Sequence, residues 1–240
     1  MSAWKTKRFW KEATAAPVDG GFTITLDGRP VKTPAKRPLV VPSITLARAI
    51  AEEWDAQVEE VKPQTMPVTR AANAAIDKVA QQKTEVADLL AAYGDSDLLC
   101  YRADSPEGLV ARQSEAWDPL LDWAADTFGA RLRPTVGLMP MPQDPGDLAK
   151  LAEQVHAMDT FTLTAFHDLV GLSGSLIIGL AALRDHAPIE DLWQTSRIDE
   201  TWQEEQWGED EEAQEMAAAK RQQFLAAKKL YNMINDHPEL

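Results

Sequence analysis

The apolar side chains of this 240-residue chain change their spacing near residue 66, and that change decides the fold class. Before it, "GFTITLDGRPVKTP" alternates Phe22, Ile24 and Leu26 on one face and turns at Asp27-Gly28. That dipeptide readily supplies the positive φ of a hairpin. "PLVVP" (38–42) reads as a further short strand closed by prolines that remove ladder donors. Ser43 is placed to N-cap "ITLARAIAEEWDAQV", in which Ala47, Ile50, Trp54 and Val58 follow helical spacing. This helix is expected to cover one face of the small sheet, with Trp54 in the core.

After residue 66 the spacing is helical almost throughout. Thr69 is expected to cap a helix whose buried face includes Ala72, Ile76 and Val79, and Gly94 to break the next. "SEAWDPLLDWAADTFG" spaces Trp117, Leu120, Leu121 and Ala124 for one buried face and ends at Gly129. "PTVGLMPMPQDPGD" (134–147) has four prolines and two glycines in 14 residues and reads as an irregular loop. Its Leu138, Met139 and Met141 suit either an adaptable apolar contact or packing back on their own domain. Helices resume at 148, with interruptions near Asp159, Gly171 and Pro188. The expected class is α+β: a small β-rich N-terminal domain with one covering helix (1–66), then a larger all-α C-terminal domain (67–240).

Bulk properties exclude several functions. One cysteine, Cys100, precludes an internal disulfide and a cysteine-rich zinc site, and within "DLLCY" it reads as a buried, inert thiol. The start "MSAWKTKRFWKEATAAP" lacks the apolar run of a secretory signal; a short amphipathic transit sequence stays open, although Trp4, Trp10 and Glu12 are unusual in one. The longest apolar run, residues 169–183, has 15 residues, short of the ~20 that span a bilayer. A soluble, cytoplasmic protein is expected. Residues 1–48 carry nine Lys/Arg against three Asp/Glu, which leaves 15 basic and 35 acidic residues for the rest. So acidic a surface repels nucleic acid, and the basic N-terminal part lacks an aromatic platform or recognition-helix pattern.

Chemistry-bearing motifs are wanting. "GSLIIG" (174–179) has the glycines of a phosphate loop, but Leu180 and Ala181 stand where Lys and Ser/Thr are needed. Gly171, Gly174 and Gly179 therefore read as sites of close helix approach. On a continuous helix His156 and His167 would stand ~16 Å apart, too far to share a metal. His186 and His237 read as structural or solvated, and neither HExxH nor Gly-x-Ser-x-Gly occurs. No cofactor or metal is expected, and the protein reads as a non-enzyme.

The unusual feature is "DETWQEEQWGEDEEAQE" (199–215), with nine carboxylates, two tryptophans and no basic residue. A continuous helix through "EDLWQTSRIDETWQEEQWG" puts Trp207 ~140° beyond Trp202, so one flat neighbour cannot bury both rings. Gly208 should stop that helix and Asp210 begin another. Bundle metal sites pair inward glutamates with Glu-x-x-His on facing helices, and this stretch contains no histidine. A solvated face accounts for the charges but not for two indoles. A docking surface accounts for both: aromatic anchors supply contact energy, and carboxylates steer a basic partner. The alternatives are a carboxylate-based metal or acid/base enzyme, or a scaffold for some other basic protein.

"RFWKE", "LDGRPVKTP", "AEEWDAQ", "MPVTRAANAAID", "DLLCYRA", "WDPLLDW" and above all "DETWQEEQWGEDEEA" together resemble, in that order, the ATP-twelve family. These are assembly chaperones of F₁-ATPase, the catalytic head of ATP synthase. The resemblance spans about residues 8–230. It implies a β-rich domain followed by a helical one, and a non-enzymatic role in which the free F₁ α-subunit is held until the β-subunit replaces the chaperone. Eukaryotic members are mitochondrial, whereas this chain looks like an α-proteobacterial one, hence cytoplasmic. The family's functional glutamate maps onto Glu200, with Glu204 and Glu205 as neighbouring alternatives. The expected partner-binding set is Glu200, Trp202, Glu204, Glu205, Trp207, Glu209 and Asp210, on a protein that is a monomer when free.

Overall fold

The alternation at Phe22, Ile24 and Leu26 forms strand β2 in a computed structural model that describes residues 7–137 and 141–236. Strand β1 (Ala13–Val18) runs antiparallel to β2 (Gly21–Leu26), from Ala13 opposite Leu26 to Val18 opposite Gly21. Sequence reading did not anticipate β1, because "ATAAPV" has no apolar alternation. Strands β3 (Arg29–Pro30) and β4 (Val40–Val41) complete the sheet by pairing with β2. The Asp27-Gly28 turn is where expected, with φ of 48° and 79°. The Asp27 carboxylate also accepts the backbone N–H groups of Lys11 and Glu12 at 3.0 and 3.1 Å, fixing the entry to β1.

Helix α1 (Ile44–Asp55) starts from Ser43, whose Oγ accepts the Leu46 N–H at 3.0 Å and donates to the Met233 carbonyl. It buries Leu46, Ala47 and Ile50 with Ile24 and Leu39. Trp54 packs partly buried on this core and meets Trp10 edge-on, ring centroids 5.2 Å apart. The helix ends before Val58, which is 82% exposed although it continues the helical spacing. Helix α2 (Pro67–Asp77) begins two residues ahead of Thr69, so Thr69 is not its cap. Instead the Glu53 carboxylate accepts the Val68 and Thr69 N–H groups at 2.7 Å and the Thr69 hydroxyl at 2.6 Å. A negative group from α1 thus satisfies orphan donors of the first turn of α2.

By internal packing the chain divides into two compact units, the first drawn from Met1–Lys83, Asp159–Ala165 and Lys229–Leu240. Its packing on α1 places α2 in this unit, whereas the expected division at residue 66 assigned it to the helical part. The second unit, Thr84–Met158 with Phe166–Lys228, is helical apart from one short strand pair. After α3 (Lys83–Ala91) comes β5 (Tyr101–Arg102), then the long helix α4 (Glu107–Phe128). Trp117, Leu120, Leu121 and Ala124 are buried along α4, and it ends at Gly129, as their spacing implied. The proline-rich stretch is not wholly irregular, because β6 (Thr135–Val136) pairs in parallel with β5. Its end also belongs to α5 (Pro145–His156), which starts three residues earlier than expected, with Asp144 accepting the Gly146 and Asp147 N–H groups. Met141 is 50% exposed; Leu138 and Met139 lie outside the described residues.

Helix α6 (Thr160–Ser173) passes through Gly171, and the interruption falls at Gly174, whose φ is 71°. Every residue of α7 (Leu176–Leu183) is buried. A Cβ added at Gly179 would come within 2.7 Å of Val170, so this glycine does permit the close approach read from sequence. Gly171 faces open space. Asp97, fully buried, ties the start of α7 to the turn before β5. It accepts the Leu99 N–H at 3.0 Å and the Ile177 N–H at 3.1 Å. Burial, opposed by hydrogen bonds from Ser175 and nearby backbone N–H groups, raises its pKa to about 6. Neighbouring Cys100 is buried, and desolvation first, then the Asp97 charge, push its thiol up to about 12. The remaining helices are α8 (Ile189–Thr195), α9 (Ile198–Trp207) and α10 (Glu211–Asn235). No helix among the described residues is long and apolar enough to cross a membrane.

Candidate functional site

The acidic stretch forms α9, the turn at Gly208 and the first turns of α10. The expected continuous helix from residue 190 breaks at Ser196–Arg197. There the Ser196 hydroxyl donates to the Trp193 carbonyl at 2.7 Å, giving that carbonyl a partner where the helix ends. Trp193 is buried and tilts against Phe224 of α10 at 5.5 Å. Gly208 stops α9 at φ 93°, a conformation costly for any side chain but glycine. Asp210 then caps α10, its Oδ1 accepting the Ala213 N–H at 2.8 Å.

Helix α9 has two faces. Along one, Asp199 accepts the Gln113 side-chain amide at 2.6 Å, and Glu205 accepts both terminal nitrogens of Arg112 at 2.9 Å. Between them Trp202 is half-buried: the Arg112 guanidinium lies 5.0 Å from its ring centroid. Its ring edge also rests on α4, where a Cβ on Gly108 would come within 2.8 Å of Trp202 Cη2. Gln113 is itself buried and accepts the Ala103 N–H at 2.9 Å, which fixes its amide toward Asp199. The Arg112 hydrogen bonds hold the Glu205 carboxyl below its usual range, and Glu205 holds the guanidinium above its own. The first two turns of α4 are thus the seat of α9.

The other face carries Glu200, Glu204 and Trp207 at i, i+4 and i+7, one stripe at about 100° per residue. Trp207 is 79% exposed, so of the two indoles this one faces solvent. Glu200 pairs with Arg197 at 2.6 Å, and Arg197 in turn lies 5.8 Å from the Trp193 ring centroid. Among the described residues, the carboxylates of Glu204, Glu209, Glu211, Glu212 and Glu215 have no ion pair or hydrogen bond. Of the seven sequence-selected residues, then, Trp202, Glu205 and Asp210 are engaged internally, and Glu200 is paired but accessible. Glu204, Trp207 and Glu209 remain available. Gly108, Arg112 and Gln113 were missed by sequence reading: they stand some 90 residues away, with nothing local to mark them.

Other chemistry-bearing groups do not converge. Among the described residues no three His, Cys, Asp or Glu side chains are placed to hold a metal ion. One Glu-x-x-His spacing, Glu153 to His156, escaped sequence reading; His156 meets Asp88 at 2.9 Å instead. His167 bonds the adjacent Asp168, which raises its pKa, and His186 stacks on Trp123 at 4.5 Å. His237 lies outside the described residues.

Comparison with known proteins bears on the family of the chain. A family model described as ATP12 chaperone protein matches residues 7–125, a span that ends before the acidic stretch. The solved structure of Atp12 from Paracoccus denitrificans is similar to this chain at 48% identity and a TM-score of 0.94. The match covers 97% of this chain and 100% of that one. A mutant of P. denitrificans Atp12p gives the same identity and TM-score over 98% and 100% of the two chains. The mitochondrial protein atp12 of Schizosaccharomyces pombe is 28% identical over 223 residues, 88% of this chain and 76% of its own length.

Proposed function

Because this chain belongs to the ATP12 chaperone protein family, we propose that it assists assembly of the F₁ sector of ATP synthase. In this reading it binds the free α-subunit and keeps it from aggregating until the β-subunit takes its place. It works by shielding a surface and not by transforming a substrate, as a monomer in the bacterial cytoplasm. An orphan subunit exposes an apolar interface normally covered by its neighbour, and such patches aggregate. A chaperone must cover that interface reversibly and yield to the final contact.

One observation carries the reading: an indole 79% exposed at the end of a stripe that also holds Glu200 and Glu204. Burying a tryptophan in a partner is worth about 2–4 kcal/mol, while unpaired carboxylates mainly speed encounter with a basic rim and exclude wrong partners. The proposed contact set is Trp207 with Glu200, Glu204 and Glu209, supported from behind by Trp202, Glu205 and Asp210. The structural matches, at 48% identity over nearly the whole chain, support the family part of the reading. The α-subunit as partner rests on the resemblance of the motifs.

The experiment is light scattering by isolated F₁ α-subunit with and without this protein. Wild type is expected to suppress aggregation at near-equimolar ratio, and Glu200→Lys, which sets a second cation beside Arg197, to suppress it less. Unchanged scattering with wild type rejects the chaperone reading; equal suppression by the variant removes Glu200 from the contact set. Raising ionic strength from about 0.05 to about 0.5 M should slow association roughly tenfold and change dissociation far less. Stopped-flow mixing of labelled α-subunit measures both rates.

A further inference from the structure

We infer that Arg112, on α4, is a positioning residue for the docking surface of α9: by clamping Glu205 and stacking on Trp202 it keeps the stripe of Glu200, Glu204 and Trp207 turned outward. This rests on the reading that α9 meets the partner, and it assigns a role to a residue far from the acidic stretch in sequence. Beyond the packing of the Trp202 edge on Gly108, three contacts seat α9 on α4, and Arg112 supplies two of them. Its guanidinium makes both hydrogen bonds to Glu205 at 2.9 Å while its face lies 5.0 Å from the Trp202 centroid. The third is the Gln113–Asp199 hydrogen bond of 2.6 Å at the start of the helix.

The need for a clamp follows from the composition of α9. Apart from Ile198 and Trp202, the helix has no apolar side chain on its seated face, and Ile198 is its only buried residue. Hydrophobic packing therefore holds its first turns and not its last. A ten-residue helix is marginal by itself in water. Four glutamates and aspartates in those ten residues add mutual repulsion. A planar, two-pronged cation fits the requirement, because it fixes direction as well as distance and covers the indole at the same time. Lysine could supply the charge but neither the fork nor the stack. Glu205 is engaged by this clamp, so its carboxylate is oriented inward while Glu204, one residue earlier, stays without a partner among the described residues.

The test compares wild type, Arg112→Ala, Arg112→Lys and the exchanged pair Arg112→Glu with Glu205→Arg. Each is read by binding to isolated F₁ α-subunit, by thermal unfolding, and by hydrogen exchange of α9 amides in the free protein. Arg112→Ala should bind about tenfold more weakly and exchange faster within residues 198–207, with α4 and α7 protected as in wild type. Arg112→Lys should recover little, and the exchanged pair most of the loss. Exchange separates a positioning role from general destabilisation, which would loosen α4 and α7 as well. Wild-type affinity in Arg112→Ala, or loosening spread through the second unit, overturns the inference. Absence of binding by wild type overturns instead the proposed function, while faster exchange confined to α9 would still establish the clamp.

Discussion

Replacing Asp97 with alanine is expected to lower the unfolding midpoint by about 10 °C, measured by circular dichroism at neutral pH. The side chain is fully buried and accepts the N–H groups of Leu99 and Ile177 on separate oxygens. Alanine strands both donors where water cannot reach them, at about 1–3 kcal/mol each, and leaves a void beside Ser175. Ile177 is 80 residues from Asp97 in sequence, so loss of this contact also frees the start of α7, the most apolar helix of its unit. Asparagine keeps one carbonyl oxygen for one of the two donors and should cost less. A midpoint in Asp97→Ala within about 2 °C of wild type would mean that these two hydrogen bonds do not hold the helix start.

The same residue sets a pH dependence whose sign is unambiguous. Burial raises the pKa of Asp97 from 3.8 to about 6, so the native state binds this proton more tightly than the unfolded chain does. The associated stability is fully present below about pH 4 and is lost as pH rises through about 6, some 3 kcal/mol in all. Other carboxylates titrate in the same range, and the acidic protein repels itself less as they protonate. The comparison must therefore be a difference. Urea unfolding of wild type and Asp97→Asn between pH 4 and 7 should give a shallower decline for the variant. Parallel curves would show that Asp97 keeps one charge state throughout.

Legibility of the fold in the sequence followed the range of the forces involved. Strand β2 was plain because three alternating apolar residues and an Asp-Gly turn are local signals. Strand β1 was invisible because Ala15 and Ala16 have no preference of their own, and only the ladder to β2 makes them a strand. The first turn of α2 could not be placed from Thr69, since its cap is Glu53, a residue of another helix. The break at Ser196 was missed for a related reason: nothing in the helical spacing of Leu192 and Ile198 distinguishes one helix from two in series. At the candidate site, the density of carboxylates and the incompatibility of Trp202 and Trp207 with one flat neighbour were both legible. Which tryptophan faces out was not, because that is decided by Gly108 and Arg112, whose side of the contact is written in α4.

Trp207→Ala is expected to weaken capture of the α-subunit by about 30-fold or more while leaving the unfolding midpoint unchanged. The two halves of this expectation have separate causes. An indole 79% exposed, at the last position of its helix, contributes little to the fold, so its removal should shift stability by no more than about 0.5 kcal/mol. In a complex the same ring would bury on the order of 150–250 Å² of mostly apolar surface, and truncating a buried aromatic anchor costs about 2–4 kcal/mol of binding. Trp202→Ala should behave in the opposite manner: half-buried against Gly108 and Arg112, it should lower the midpoint and loosen α9 before any partner is added. Calorimetric titration of α-subunit into the two variants, beside their melting curves, separates contact from support. Full affinity in a folded Trp207→Ala protein would remove the α9 stripe from the interface and leave the exposed indole without a role.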